Sequence, residues 1–182
     1  MRRSLGIEEQ LPARLEILRM RRRHLRSVMA IERQVYPRPW SANLFISEIS
    51  DERTRTYLVA RVDREIVAYA GLNCWGDEAH VTTIAVDPVW QRRKIGTRLM
   101  FELMRSAVEM GAQSVSLEVR VSNWGAQRMY GEFGFRPVGV RKNYYQEVNE
   151  DALVMFVDEV QSARFQDKIA DIIDDVPENV RP

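Results

Sequence analysis

The sequence is 182 residues long, 45% hydrophobic and 29% charged, which suits one globular domain with short tails and excludes wholesale disorder. No run approaches the roughly 20 apolar residues that cross a bilayer, the basic start MRRSLGIEEQ leads into no apolar signal segment, and one cysteine with two histidines leaves neither an internal disulfide nor a Cys/His zinc centre. The net charge of +1 conceals +6 over residues 1–64, +2 over 65–146 and −7 over 147–182, so charge taken whole names no partner.

These bounds predict a soluble, cytoplasmic protein with no metal and no membrane partner. Residues 1–13 read as a mobile extension, 14–157 as the folded domain, and 158–182 as an acidic, partly helical extension. Arg14–Met20 alternates weakly and predicts a strand. The basic run Arg19–Arg26 suits a short solvated patch better than a nucleic-acid contact; no nucleic-acid-binding motif accompanies it, so a nucleic-acid partner ranks last among the readings. From His24 to Tyr36, Leu25, Val28, Met29, Ile31 and Val35 fall at helical spacing, and Pro37 and Pro39 stop the helix. Ser41 then caps a second helix carrying Leu44, Phe45 and Ile49. Thr56–Val62 and Glu65–Cys74 read as a hairpin turning at Asp63 and Arg64, followed by a strand over Ala79–Val86 that Asp87-Pro88 ends.

Ile95–Met110 is the clearest helix, with Ile95, Leu99, Leu103 and Ala107 in one row and Gly111 where a left-handed cap belongs. Ser114–Val121 alternates strictly, and Asn123–Phe133 is a short helix closed by Gly134. Arg136–Val140 and Ala152–Val157 are the last strands, joined by a polar loop. Beyond them, Val160, Phe165, Ile169, Ile172 and Ile173 give helical spacing for a segment that docks on the domain or on a partner. The fold class expected is α/β, a mixed and mainly antiparallel central sheet with a β-α-β unit in its second half. Trp40, Trp75, Trp90 and Trp124 are expected to be packing residues, Cys74 a buried small hydrophobe, and His24 and His80 surface or hydrogen-bonded groups outside any catalytic constellation.

The stretch Ile84–Met100 (IAVDPVWQRRKIGTRLM) carries the strongest chemical signal. A strand ends at Val86, a basic turn follows, and a long helix opens near Ile95. Unpaired N–H groups and the positive end of the helix dipole make such a start an anion site, and Arg92, Arg93 and Lys94 add charge where a pyrophosphate would lie. Taken alone, it reads equally well as a basic turn before an amphipathic helix.

Gln91-Arg92-Arg93-Lys94-Ile95-Gly96-Thr97 resembles the acetyl-CoA signature of the GNAT acetyltransferases, Gln/Arg-x-x-Gly-x-Gly/Ala, except that Lys94 replaces the first glycine. If that glycine has φ > 0, Lys94 bears a strain penalty there or the loop takes a variant shape. Leu117–Phe135 (LEVRVSNWGAQRMYGEFGF) resembles the family's other core motif in the version of the ribosomal-protein-alanine N-acetyltransferases, the RimI type. Tyr36-Pro37-Arg38-Pro39-Trp40-Ser41 and Arg141–Tyr145 with Glu150-Asp151-Ala152 extend the likeness, which spans roughly Leu15 to Val157. It implies the acyl-CoA N-acyltransferase fold, with helices on both faces of the sheet, and acetyl-CoA as co-substrate. The acceptor it implies is a protein or peptide N-terminus, that of a ribosomal protein beginning with alanine.

The resemblance also assigns roles. Acyl transfer to an amine needs a neutral nucleophile, a stabilised oxyanion and a proton for the leaving thiolate. Glu118, facing away from Leu117 and Val119, takes the family's general-base position; by its residues alone it reads as a solvent-facing strand glutamate. Tyr130 takes the general-acid position, protonated near neutrality at its reference pKa of about 10; otherwise it packs against Phe133 and Phe135. Asn123 matches a CoA-contacting asparagine and serves equally as a helix N-cap. The backbone of Ile84, Ala85 and Val86 is assigned to the pantetheine arm and thioester carbonyl, across a splay between this strand and Ser114–Val121. Arg92, Arg93, Lys94, Ile95, Gly96 and Thr97 are assigned to the phosphates, and Tyr144 and Tyr145 to the acceptor cleft, although a loop packed on the sheet explains these two as well. Two other readings stay open: the same fold acting on lysines or a small amine, and a non-catalytic CoA-binding module. Cys74 has no activating partner, so direct attack is expected rather than a covalent acetyl-enzyme.

Overall fold

Prolines, caps and turn residues punctuate the chain where the pattern places them. A computed structural model describes residues 14–182; the extension expected over residues 1–13 lies outside the described residues. The strands are β1 (Leu15–Arg19), β2 (Arg55–Val62), β3 (Glu65–Trp75), β4 (Glu78–Val86), β5 (Ser114–Arg120), β6 (Arg136–Tyr145) and β7 (Glu150–Val157). The helices are α1 (Leu25–Val35), α2 (Ala42–Ser50), α3 (Ile95–Glu109), α4 (Trp124–Glu132) and α5 (Ala163–Asp174). The strands form one sheet in the order β1-β2-β3-β4-β5-β7-β6. Every neighbouring pair is antiparallel except β4–β5, whose crossover is α3.

Local chemistry sets the ends. Tyr36, ahead of Pro37, is already extended (φ −113°, ψ 129°), which terminates α1. Ser41 Oγ accepts from Leu44 N at 3.1 Å to cap α2. Gly111 closes α3 with φ +88°, a region that costs other L-residues more.

Two apolar faces result. Leu25, Val28 and Ile31 of α1 and Phe45 of α2 pack with Tyr57, Val59, Tyr69 and Ala85 on one side of the sheet. The larger cluster on the other side joins Leu99, Leu103 and Ala107 of α3 with Tyr130 of α4 and alternate residues of β2–β5 and β7. Phe165, Ile169 and Ile173 of α5 are buried in that same cluster, as are Val176 and Val180. The C-terminal segment therefore docks on the domain itself. Asn179 C=O accepts from Leu15 N at 2.8 Å, and buried Arg98 donates to Val180 C=O at 2.9 Å.

Two expectations change. The last loop is shorter than the sequence suggests, because β6 continues through Arg141–Tyr145, with Lys142 Nζ bonded to Asp151 at 2.7 Å. Nearly all of β6 is solvent-exposed, so its polar residues carry no alternation to betray a strand. The tryptophans also divide: Trp40 and Trp90 are partly buried, but Trp75 and Trp124 are 57% and 77% exposed. These two stand at element ends, where one side of the residue faces open space.

Candidate active site

β4 and β5 share only four rungs, from Glu78↔Ser114 to Val81↔Leu117. Beyond them the strands part, and among the described residues no strand covers the β5 side of Thr82–Val86. A bulge marks the point of divergence: the β3–β4 register jumps between Gly71↔Thr83 and Leu72↔Val81, leaving Thr82 as the extra residue. Tyr57 braces it. Its hydroxyl lies 2.8 Å from Thr82 Oγ1 and donates to Glu48 Oε2 of α2 at 2.7 Å. The ring sits on Gly71, where any Cβ would overlap three of its atoms.

Two clefts open from this gap, of about 740 and 700 Å³. Among the described residues, only Ile84, Asn123 and Tyr130 line both. The first cleft runs between the α1–α2 turn and the end of β6, and holds His80, Thr82, Glu118, Tyr144 and Tyr145. The second follows the start of α3 and holds Val86, Arg92, Lys94, Ile95, Gly96 and Thr97, with Trp124 and Arg128 of α4 on its other side.

Glu118 is held from two sides in the first cleft. Oε2 lies 3.0 Å from His80 Nε2 and Oε1 lies 3.1 Å from Arg141 Nη2. The His80 hydrogen bond holds its carboxyl below the usual range; burial opposes this, and the charges of His80 and Arg141 add to it. His80 Nδ1 is in turn 2.9 Å from Ser116 Oγ, across the rung that pairs the two residues. Sequence spacing set His80 aside, and only the parallel pairing of β4 with β5 brings it to Glu118.

Tyr130 is buried beside Phe135, with ring centroids 6.0 Å apart, and also reaches the junction of the clefts. Burial pushes its phenol well up, with Tyr36 and Tyr145 adding to the shift, so it stays protonated. Tyr36 donates to Ile84 C=O at 3.0 Å, and Gln91 donates to Val86 C=O at 3.1 Å. The side chain of Ala85 points to the opposite core, whereas Ile84 and Val86 face the α3 side. Asn123 Oδ1 accepts from Ala126 N at 3.1 Å and so caps α4, while its side chain also borders both clefts. Tyr144 and Tyr145 stand on strand β6, edge to face at 5.1 Å. Burial and Tyr36 push the Tyr145 phenol up to about 12.

The α3 start carries no side-chain cap, and Lys94 precedes it at φ +61°, so the lysine does occupy a left-handed position. Arg93 is absent from the groove lining; its guanidinium lies over Trp90, 4.9 Å from the ring centroid. Trp124, expected as a packing residue, is instead an exposed wall of this groove. Cys74 is buried and its thiol is pushed up by burial, which disfavours a thiolate nucleophile. Among the described residues, no three of His, Cys, Asp and Glu converge as a metal site would need, and no helix is long and apolar enough to cross a membrane.

Residues 25–135 match the acetyltransferase (GNAT) family. The chain belongs to that family. It is 35% identical over 127 residues to the ribosomal protein bS18-alanine N-acetyltransferase of Salmonella typhimurium, covering 69% of this chain and 84% of the relative. It is 38% identical over 121 residues to the N-alpha-acetyltransferase RimI of Mycobacterium tuberculosis, covering 64% and 74%. The crystal structure of the ribosomal-protein-S18-alanine N-acetyltransferase from Escherichia coli superposes with a TM-score of 0.72 at 31% identity, covering 80% of this chain and 94% of that one. The mixed sheet with helices on both faces is thus the acyl-CoA N-acyltransferase fold of GNAT enzymes.

Proposed function

We propose that this GNAT enzyme transfers acetyl from acetyl-CoA to the N-terminal α-amine of a protein, a ribosomal protein beginning with alanine, by direct attack. The observation that carries this reading is the meeting of two clefts at the β4–β5 gap, one basic and anchored on a helix start, the other acidic and aromatic. The basic groove fits the co-substrate. Its helix start offers uncapped N–H donors, and a Cβ on Gly96 would meet Met129 and Val86 only at ordinary distances of 3.5 and 3.8 Å. Nothing in the protein demands glycine there, whereas close approach of a phosphate does.

Ile84–Val86 offers an open strand edge along which an extended pantetheine arm can lie. Glu118, ionised and held by two donors, receives a proton from the acceptor ammonium. The amine attacks the thioester carbonyl; as the C–S bond breaks, Tyr130, kept protonated by burial, gives its proton to the thiolate, and the second N–H proton, lost as the amide forms, restores the phenol. An α-amine, with a reference pKa of about 7.7–8.0, is far easier to deprotonate than lysine at about 10.4, which suits a base held this low.

Mass spectrometry of three acceptors tests the reading: an Ala-start peptide, an N-blocked lysine peptide and a polyamine. Acetylation of the first alone is expected. Glu118→Gln and Tyr130→Phe should each lower kcat by roughly 100-fold or more with acetyl-CoA binding intact. Full turnover in both variants removes the mechanism, and turnover confined to lysine or polyamine removes the acceptor.

A further inference from the structure

Thr82 and Glu118 are the first residues of β4 and β5 past the last shared rung, Val81↔Leu117, so they flank the mouth of the gap. Both line the acceptor cleft. The Thr82 hydroxyl is fixed in direction by the groups behind it. Glu48 is paired with Arg55 Nη1 at 3.0 Å, receives Asn73 Nδ2 at 3.2 Å, and accepts the Tyr57 hydroxyl proton at 2.7 Å. A carboxylate only accepts, and a phenol has one proton to give. That proton is spent on Glu48, so in the 2.8 Å contact between Tyr57 and Thr82 the donor is Thr82. Burial pushes the Tyr57 phenol up and keeps the chain Thr82→Tyr57→Glu48 in this sense. The hydrogen of Thr82 is therefore turned away, leaving its oxygen with an acceptor lone pair only.

We propose that Thr82 Oγ1 is a second hydrogen-bond acceptor for the primary ammonium of the incoming substrate, receiving one N–H while Glu118 receives another. This rests on Glu118 being the base of the acceptor cleft. Two acceptors on one nitrogen fix where it sits relative to the open edge of β4, and a hydroxyl that cannot donate repels nothing that an ammonium presents. The bulge thus acts on recognition as well as on the backbone: it places at the gap mouth a residue that Tyr57, held by Glu48 of α2, can reach.

Steady-state kinetics with an Ala-start peptide test this. Thr82→Val keeps the β-branched shape and removes the oxygen; the peptide KM should rise about ten-fold, the loss expected for one hydrogen bond to a charged group, with the acetyl-CoA KM unchanged. Thr82→Ala should give the same rise and Thr82→Ser should restore near-native values. Tyr57→Phe frees the Thr82 proton to swing into the cleft, so it should raise the peptide KM too, and the Thr82→Val/Tyr57→Phe double variant should be no worse than Thr82→Val. A native peptide KM in Thr82→Val or Thr82→Ala overturns the proposal. Loss of turnover in Glu118→Gln beside that native KM removes Thr82 alone; native turnover in Glu118→Gln removes the base, and this inference with it.

Discussion

Glu118 owes its state to two neighbours that come from different strands, His80 on β4 and Arg141 on β6. Its carboxyl is depressed in the folded chain, so its ionised form contributes stability that is fully present above the ordinary glutamate value of about 4.3. That contribution is lost as pH falls through the lowered folded value. Urea unfolding of the native chain and Glu118→Gln from pH 7 to pH 3 should therefore show a constant stability difference down to about 4.3, shrinking below it. A difference that shrinks between pH 7 and 5 instead would mean the carboxyl is not held low. The strain at Lys94 is legible from its place in the motif. A lysine in a glycine position announces a left-handed residue bearing a cost of roughly 1–2 kcal/mol, and φ is +61° there, with Arg92 alike at +65°. His80 could not be read in that way, because its partner lies on a strand that joins it only through a crossover.

Elements with local punctuation were legible: Pro37 ends α1, Ser41 caps α2, Asp63 turns the β2–β3 hairpin and Gly111 closes α3. The bulge in β4 has no such mark. It coincides with Tyr57 of β2 lying over Gly71 and reaching Thr82, an arrangement that only tertiary packing reveals. Gly71→Ala forces a Cβ into the Tyr57 ring at a buried site. Overpacking of this kind costs about 1–3 kcal/mol, so the chemical denaturation midpoint should drop accordingly. Because the displaced ring is the brace, the peptide KM should rise as well; an unchanged peptide KM in the folded variant would separate Tyr57 from the site. The end of β6 was hidden for the opposite reason, since a strand exposed along its length has no buried face to pattern its residues.

At the scale of the whole molecule, the acidic end resolves into a helix with Phe165, Ile169 and Ile173 inward and Asp167, Asp171 and Asp174 outward. The sequence showed the apolar spacing but not what it covers, because the surface that receives α5 is assembled from α3 and the sheet. A chain ending at Val157 would bare that surface and leave the Arg98 guanidinium without its Val180 carbonyl. It should lack the single cooperative unfolding transition of the longer chain; a transition of native sharpness and midpoint would make α5 an appendage. The bond from Leu15 to Asn179 has a consequence for synthesis. Among the described strands the edge strand β1 is made first, finds β2 about forty residues later, and gains its bond to Asn179 only when that residue is free. Until then the outer edge of β1 stays open, a margin at which a growing chain is exposed to pairing with a stranger.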